Sequence, residues 1–174
     1  MKIAIIGYSG SGKSTLARKL GEQYNIPVLH FDTVQFLPNW EIRSQEEKAA
    51  MTKNFLDTHN AWVIDGNYSK LSYERRMEEA DVIILLLFNK ISCLYRVTHR
   101  YLKYKNATRP DMAQGCKEKL DWEFITWVLW KGRSKTARQR YESVRSQYPH
   151  KTIVVKNQRQ LNAVQKRIDQ VLNP

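Results

Sequence analysis

A glycine-rich segment near the start of the chain is the feature that most constrains what this sequence can fold into. The segment reads GYSGSGKS over residues 7–14 and matches the pattern G-x-x-x-x-G-K-[S/T] at every fixed position. A short apolar run, Lys2–Ile6, leads into it, and a helical pattern, Lys13–Tyr24, follows it. Glycines let the backbone curl so that successive amide N–H groups point inward, and the start of the following helix adds its positive dipole end. The pattern therefore predicts a phosphate-binding loop between a strand and a helix.

The polar side chains of this loop predict that its ligand is ATP with Mg²⁺. Lys13 is expected to reach the β- and γ-phosphates, and the Ser14 hydroxyl is expected to ligate Mg²⁺. The hydroxyl of Thr15 can add a contact toward the α-phosphate. We expect the whole loop to line the nucleotide site, through residues Gly7, Tyr8, Ser9, Gly10, Ser11, Gly12, Lys13, Ser14 and Thr15.

Beyond the loop, short apolar runs alternate with helical patterns. Near-continuous apolar runs are typical of strands that are buried on both faces of a parallel sheet. The predicted strands are Lys2–Ile6, Pro27–Phe31, Ala61–Asp65, Val82–Phe88 and Thr152–Val155. The predicted helices are Lys13–Tyr24, Gln45–His59, Ser72–Glu79, Ser92–Lys105 and Gln158–Leu172. The 174 residues therefore predict one α/β domain with a doubly wound, five-stranded parallel sheet.

The interval from about residue 106 to residue 150 interrupts this alternation. It begins with a polar loop, Asn106–Lys117, and continues with an aromatic-rich helical stretch, Glu118–Trp130. The remainder, Lys131–His150, is strongly basic. Two interpretations stay open, a lid over the site and an extra packing layer. We interpret the tryptophans of the helical stretch as packing residues rather than as a surface for stacking bases.

Two aspartates are predicted at the carboxyl ends of strands, where parallel sheets form their ligand crevices. Asp65 ends the third strand, beside Gly66, and is placed to hold Mg²⁺ directly or through water. Asp32 ends the second strand and is the candidate general base if the acceptor is a hydroxyl. With a phosphate acceptor it would instead orient magnesium or substrate, and a helix-capping role is an alternative. His30 shares a face with Asp32, and we interpret it as a hydrogen-bonded core histidine.

Arginines that follow the fourth strand form a further candidate group. Arg96 and Arg100 are four residues apart and therefore lie on one face of a helix. Near the crevice they would neutralise charge on the transferring phosphoryl group or stack on the base, whereas on an exposed face they would only be solvated. Weaker candidates for contact with phosphates or acceptor, or for anchoring a loop, are Arg109, Arg133, Arg138, Trp40 and Arg43.

The charge balance favours polyanionic partners. The chain holds 29 Lys+Arg against 17 Asp+Glu, a formal net charge of +12. Nucleotides, nucleic acids and anionic membrane surfaces all satisfy such a charge. The basic stretch Lys131–Arg145 supports a second hypothesis, an ATP-switched DNA-binding protein with weak affinity for nucleic acid.

The same sequence predicts a cytoplasmic protein without a membrane span. The longest apolar run, Val82–Phe88, has the length of a strand, and only about five apolar residues precede the first glycine, too few for a secretory signal. Cys93 and Cys116 predict two reduced thiols rather than a disulfide or a metal site. No oligomeric state follows from the sequence.

Several stretches resemble known proteins. The phosphate loop, the Asp-Gly pair at the third strand and the arginines spaced by four resemble the adenylate-kinase-like nucleotide kinases. The stretches HFDTVQF, WVIDGNY and TRPDMAQGCKEKLDWEF and the YP…TIVVKN ending resemble the bacterial DNA topology modulation proteins across nearly the whole chain. The resemblance implies a P-loop NTPase fold with strand order 2-3-1-4-5 and with the insertion as a helical lid. It also implies that Arg96 lies over the adenine and Arg100 near the phosphates.

One stretch departs from the nucleoside monophosphate kinases among these relatives. Those enzymes carry an arginine shortly after the Asp-Gly pair, where it binds the acceptor phosphate, but this chain has Asn67-Tyr68-Ser69 there. The acceptor is therefore unidentified, although ATP is predicted. Our first hypothesis is a small kinase that transfers the γ-phosphoryl group of ATP to a nucleotide or another small acceptor. Its catalytic candidates are Lys13, Asp32, Arg96 and Arg100. A nucleotide hydrolase is disfavoured, because no glutamine or glutamate is clearly placed to orient water.

Overall fold

The computed structural model describes residues 1–172 and contains a sheet of five parallel strands. The strands are β1 Lys2–Gly7, β2 Val28–His30, β3 Trp62–Asp65, β4 Val82–Leu86 and β5 Thr152–Val155. Their order across the sheet is β2-β3-β1-β4-β5, and every pairing is parallel. The predicted α/β fold class and the strand order 2-3-1-4-5 are therefore confirmed. Because all strands run the same way, their carboxyl ends meet at one edge of the sheet.

Helices cover both faces of this sheet. They are α1 Lys13–Tyr24, α2 Phe31–Gln35, α3 Gln45–Thr58, α4 Tyr73–Glu79, α5 Lys90–Lys103, α6 Trp122–Leu129, α7 Lys135–Gln147, α8 Gln158–Asn162 and α9 Val164–Leu172. Helices α1, α5, α6 and α9 bury residues such as Leu20, Val97 and Ile168 against one face. Helices α2, α3, α4 and α7 bury residues such as Leu56 and Val144 against the other. The sheet is thus doubly wound, which explains why its strands are apolar on both faces.

Local signals set several helix starts. Ser44 caps α3, since its hydroxyl accepts a hydrogen bond from the Glu47 N–H at 3.1 Å. Asn89 caps α5 in the same way through the Ser92 N–H at 2.8 Å, so that helix begins two residues earlier than predicted. The C-terminal helical pattern is divided into α8 and α9 by a break at Ala163.

The second strand is shorter than predicted, which changes the setting of Asp32. Strand β2 ends at His30, and Phe31 is the first residue of α2. The apolar run continues through Phe31 because that ring is fully buried against the sheet as part of a helix rather than of a strand. Asp32 therefore lies in the first turn of α2 instead of ending a strand. A carboxylate there interacts favourably with the positive end of the helix dipole.

The interval 106–150 divides into two parts with different packing. Its first part forms a small hairpin, in which Thr108 pairs with Lys117, and is followed by α6. Its second part is α7, which buries Tyr141 and Val144 in the core on the sheet. Helix α7 is therefore a packing layer, and residues of the 104–133 segment line a cavity at the carboxyl edge of the sheet, so a lid role for that segment stays a prediction.

None of the helices within residues 1–172 is long and apolar enough to cross a membrane. The two cysteines, Cys93 and Cys116, are both free, and both are buried.

Candidate active site

A cavity of about 1520 Å³ lies at the carboxyl edge of the sheet. Its walls are the phosphate loop and the start of α1, helix α2, the start of α3, the segment after β3, helix α5, the 104–133 segment and the first half of α7. Pockets for a single small ligand measure about 300–1,000 Å³, so this cavity has room for a nucleotide and a second small molecule.

The phosphate loop is held in its curled shape by close packing on α5. Gly10 has a φ of 75°, and a Cβ atom at this position would approach Val97 Cγ1 to 2.7 Å and the Cys93 carbonyl oxygen to 2.8 Å. Gly12, with a φ of 94°, ends the loop as the N-cap of α1. The loop thus needs glycine at Gly10 both for its backbone angle and for its approach to the helix.

Lys13 lies across the loop. Its ammonium group donates hydrogen bonds to the carbonyl oxygens of Gly7 at 3.1 Å and Tyr8 at 3.0 Å. Burial lowers the pKa of Lys13, while the negative charges of Asp65 and Asp32 act in the opposite direction. The three charged side chains therefore act on one another at the same edge of the sheet.

Asp65 is the centre of a hydrogen-bonded group of oxygen and nitrogen atoms. Its carboxylate accepts a hydrogen bond from the Ser14 hydroxyl at 2.7 Å and lies 2.6 Å from His30 Nδ1. Sheet pairing explains the second contact, because His30 and Asp65 are directly opposite each other in the register of β2 and β3. Burial alone would lower the pKa of His30, but the hydrogen bond and charge of Asp65 outweigh it and raise that pKa.

The donor set at Asp65 fits Mg²⁺. A hydroxyl and a carboxylate oxygen in contact with each other are two of the oxygen ligands that this ion takes in proteins. Within residues 1–172, no group of three His, Cys, Asp or Glu side chains could hold a metal ion. Phosphate oxygens and water would therefore have to complete the coordination, as is usual for Mg²⁺ at nucleotide sites.

Asp32 faces the same cavity and is oriented by Tyr68. The Tyr68 hydroxyl donates a hydrogen bond to the Asp32 carboxylate at 2.8 Å. Burial, followed by the charge of Asp32, raises the pKa of Tyr68 far above its ordinary value. Tyr68 therefore stays protonated as a donor, and one carboxylate oxygen of Asp32 stays available to the cavity.

Asn67 fastens the segment after β3 to the phosphate loop, a role that sequence reasoning missed. Its side-chain oxygen accepts a hydrogen bond from the Gly7 N–H at 2.9 Å, and its side-chain nitrogen donates to the Gly7 carbonyl oxygen at 2.6 Å. The Asn67 side chain is therefore hydrogen-bonded to both backbone polar groups of Gly7, the N–H and the carbonyl oxygen. Gly7 is the first residue of the loop.

Sequence reasoning also missed the role of Arg76, which is hydrogen-bonded to the backbone of the same segment from its buried side. Its side chain is fully buried and donates to the carbonyl oxygens of Leu71 at 3.0 Å, Gly66 at 3.3 Å and Tyr68 at 2.9 Å. The guanidinium group also lies 4.4 Å from the centre of the Phe31 ring. Its neighbour Arg75 forms ion pairs on the surface. Neither of the arginines nearest to the Asp-Gly pair therefore faces the cavity, where an acceptor phosphate would have to bind.

Arg96 lies beside the phosphate loop. Its guanidinium donates to the Ser11 carbonyl oxygen at 3.1 Å and to the Gln158 side chain at 2.6 Å. It also lies 4.1 Å from the centre of the Phe88 ring. The arginine thus links the loop to the start of α8, beyond the end of β5.

Arg100 belongs to a buried charge cluster that joins α5 to the 104–133 segment. It donates to Glu118 at 2.8 Å, and Glu118 lies 2.6 Å from Arg109. Arg109 in turn donates to Asp111 at 2.8 Å. Arg96 and Arg100 both line the cavity, but each also has a protein partner, so neither is a freely solvated side chain.

The 104–133 segment touches both ends of the cavity. At the phosphate loop, Trp127 Nε1 donates to the Ser9 hydroxyl at 3.1 Å. On the opposite side, Trp40 Nε1 donates to the Lys117 carbonyl oxygen at 3.1 Å, which makes Trp40 an anchor for this segment. The segment therefore spans the cavity from the phosphate loop to the loop after α2.

The remaining basic candidates have different surroundings. Arg133 lies 3.9 Å from the centre of the Tyr8 ring and donates to the Val128 carbonyl oxygen, and Arg43 donates to the Val34 carbonyl oxygen. Arg138 is exposed on α7. Nothing in this arrangement tests nucleic-acid binding, which stays a prediction.

Comparison with known proteins identifies the fold. No protein-family model matches the chain, and no curated protein matches it either. Among solved structures, the chain is similar to a shikimate kinase from Acinetobacter baumannii in complex with shikimate, with a TM-score of 0.58 and 16% identity over 98% of this chain and 92% of that one. It is similar to a shikimate kinase from Bacteroides thetaiotaomicron, with a TM-score of 0.54 and 16% identity over 100% and 99% of the two chains. A deoxyadenosine kinase from M. mycoides gives a TM-score of 0.51 and 15% identity over 98% and 100%.

These similarities define a class of fold. The chain has the fold of the P-loop kinases, over essentially its whole length. At 15–16% identity the likeness concerns the fold alone. The narrower resemblance to DNA topology modulation proteins has no counterpart among these matches and stays a prediction.

Proposed function

We propose that this protein is an ATP-dependent phosphotransferase that phosphorylates a hydroxyl group of a small molecule. The observation that carries the proposal is the position of Asp32. It is a carboxylate oriented by Tyr68 in the cavity that also holds the phosphate loop, and its charge acts on Lys13. A hydroxyl acceptor needs a group that accepts its proton, and Asp32 is suitably placed for that role.

On the nucleotide side, the amide groups of the loop would bind the phosphates, and Lys13 would neutralise charge between the β- and γ-phosphates. Ser14 and Asp65 would hold Mg²⁺, which when bound polarises the phosphate oxygens and offsets their charge. Lys13 would exchange its hydrogen bonds to the Gly7 and Tyr8 carbonyls for bonds to phosphate oxygens. Arg96, next to the loop, would contact the nucleotide at its outer end.

On the acceptor side, the hydroxyl oxygen would attack the γ-phosphorus while the bond from that phosphorus to the β,γ-bridging oxygen breaks. Asp32 would take the hydroxyl proton, and ADP would leave with the electron pair of the broken bond. The products are ADP and a phosphate monoester. Asn67 is hydrogen-bonded to Gly7, and Tyr68 is hydrogen-bonded to Asp32. These two neighbouring residues would hold the phosphate loop and the base in fixed positions relative to each other.

The 104–133 segment would act as a lid. It contacts the phosphate loop through Trp127 and the loop after α2 through Trp40, so it is able to exclude water from both substrates at once. Exclusion of water matters, because water competes with the acceptor for the γ-phosphoryl group.

The test is ADP formation from ATP and Mg²⁺ with a panel of acceptors. Shikimate and deoxyadenosine belong in the panel because structurally similar kinases are named for them. We expect at least one hydroxylated acceptor to stimulate ADP formation. The Lys13→Ala variant should abolish that stimulation, and Asp32→Asn should lower kcat by roughly 10²- to 10⁴-fold. Lys19→Ala, at an exposed lysine of α1, is the matched control and should behave as wild type. Tight ATP binding with no ADP formation on any acceptor would refute the proposal.

The second hypothesis, ATP-switched DNA binding, predicts a different result. Binding of duplex DNA should then fall steeply with salt and should change when ATP is added, because phosphate contacts release counterions. Weak DNA binding that ATP does not alter would contradict this second hypothesis, because any basic protein binds DNA in that way.

A further inference from the structure

A buried lysine in the acceptor half of the cavity has no role in the mechanism above. Lys48 lies in the first turns of α3 and is only 7% exposed, although four of its neighbours in the sequence, Gln45, Glu46, Glu47 and Ala49, are exposed. Lysines are rarely buried to this degree unless they are paired, because transfer of an ammonium group out of water is costly.

The partners of Lys48 do not balance its charge. Its ammonium group donates one hydrogen bond, to the Gln35 side-chain oxygen at 3.1 Å, which is a neutral partner. Within residues 1–172, no carboxylate lies within ion-pair distance of it. An ammonium group has three N–H donors, so Lys48 has donors left for a further partner besides Gln35.

The location of Lys48 relates it to the proposed base. Gln35 and Asp32 are three residues apart on α2, so their side chains leave the same face of that helix. Lys48, Gln35 and Asp32 all line the cavity. Three residues of helix rise about 4.5 Å, so Gln35 follows Asp32 by just under one turn. The Lys48 ammonium lies 3.1 Å from the Gln35 side-chain oxygen.

We infer that Lys48 binds an anionic group of the acceptor, so that the substrate is a small hydroxylated carboxylate or phosphate. The inference rests on the proposed function and names the substrate class. With the acceptor hydroxyl at Asp32, its anionic group lies on the Gln35 side of that carboxylate, against Lys48. This geometry suits a compact molecule such as a hydroxy acid or a sugar phosphate. Lys48 also places a cationic side chain in the acceptor half of the cavity. Neither Arg75 nor Arg76 does so, because Arg75 pairs with Asp57 and Arg76 with backbone carbonyls.

A structural role for Lys48 makes a different prediction. If Lys48 serves only to join α3 to α2 through Gln35, its loss should lower stability and reduce activity on every acceptor alike. If it binds an anion, its loss should remove the preference for anionic over neutral acceptors. The ratio of activities on matched acceptors therefore separates the two roles.

The experiment compares matched acceptors in wild type, Lys48→Met, Lys48→Arg and the control Lys53→Met. The control is an exposed lysine on the same helix. Each acceptor set holds a hydroxy acid, the corresponding phosphate and the corresponding neutral polyol, for example glycerate, glycerol phosphate and glycerol. The readouts are kcat/KM with ATP saturating, KM for ATP, and acceptor binding by calorimetry in the presence of a non-hydrolysable ATP analogue.

We expect the wild type to favour one of the anionic classes, and Lys48→Met to reduce kcat/KM for that class by roughly 10- to 100-fold, the effect of one hydrogen bond to a charged group. KM for ATP and activity on the neutral polyol should be unchanged, Lys53→Met should match wild type, and Lys48→Arg should recover part of the preference. Which anionic class is favoured identifies carboxylate or phosphate.

A wild type without preference for anions, or a preference that Lys48→Met leaves intact, would overturn the inference while the phosphotransferase proposal stands. Absence of ADP formation with every acceptor would refute the proposed function instead, and the calorimetric preference would then decide the inference alone. If Lys48→Met fails to fold, Lys48→Gln takes its place, because glutamine removes the charge and keeps a polar side chain. An unchanged ratio of anionic to neutral kcat/KM in Lys48→Gln would overturn the inference.

Discussion

Replacement of Asn67 should destabilise the protein and disturb the phosphate loop together. Its side chain forms two hydrogen bonds with Gly7, the first residue of that loop. In Asn67→Ala, the Gly7 N–H loses its hydrogen bond to the Asn67 side chain, while the Gly7 carbonyl keeps the Lys13 ammonium. A buried donor without a partner costs about 1–3 kcal/mol, and a lost hydrogen bond about 1 kcal/mol. Because Asn67 is only partly buried, we expect a loss of about 2–3 kcal/mol in the free energy of unfolding.

The Asn67→Asp variant sharpens this prediction, because it keeps the shape and one of the two contacts. The carboxylate can still accept from the Gly7 N–H, but its second oxygen replaces a donor and faces the Gly7 carbonyl oxygen, where the native distance is 2.6 Å. Two acceptors in contact repel each other, and the added negative charge also opposes a bound triphosphate. We therefore expect Asn67→Asp to be at least as unstable as Asn67→Ala and to bind ATP more weakly.

The assay is urea unfolding combined with thermal unfolding and ATP titration. For a domain of this size, the expected loss corresponds to a decrease of about 5–10 °C in Tm. Asn54→Ala, at an exposed helical position, is the matched control and should lie within about 0.5 kcal/mol of wild type. An Asn67→Ala variant as stable as this control would refute the reasoning. So would an Asn67→Asp variant that is more stable than Asn67→Ala.

Three further predictions follow from other contacts. Arg76→Met should lower the free energy of unfolding by about 2–4 kcal/mol, because it removes a donor from the Leu71, Gly66 and Tyr68 carbonyls, of which that of Tyr68 keeps the Leu71 N–H at 3.4 Å; a loss below 1 kcal/mol in urea unfolding would contradict this. Chelation of magnesium should abolish ADP formation, and Ser14→Ala or Asp65→Asn should raise the magnesium concentration needed by at least about 10-fold; unchanged magnesium dependence would exclude both as ligands. ATP should change tryptophan fluorescence through the contact from Trp127 to Ser9, and Trp127→Phe should remove most of that change; an undiminished signal would show that it arises elsewhere.

The parts of the fold that follow local rules were predictable from the sequence. Strand β5 and helix α1 have the predicted bounds, because an apolar run and an amphipathic pattern each specify their own element. The boundary after His30 was wrong, because the apolar residue Phe31 satisfies the burial pattern of a strand and of a helix equally well.

The contacts of Asn67 and Arg76 were not predictable for a different reason. Their partners are backbone atoms, which every residue offers and no sequence letter marks. Asn67 and Gly7 are also 60 residues apart, so only the order of the strands brings them together. Lys48 was missed because a lysine in an amphipathic helix is normally solvated, and only the tertiary packing of α3 on α2 buries it.

The fate of the γ-phosphoryl group tests the central claim most directly. ATP labelled in that group would be incubated with the protein, Mg²⁺ and each acceptor, and the label would be measured in the acceptor, in inorganic phosphate and in remaining ATP. The account predicts that label enters a hydroxylated acceptor in a one-to-one ratio with ADP, and that Lys13→Ala prevents it. Label released only as inorganic phosphate, at a rate that no acceptor changes, would contradict it.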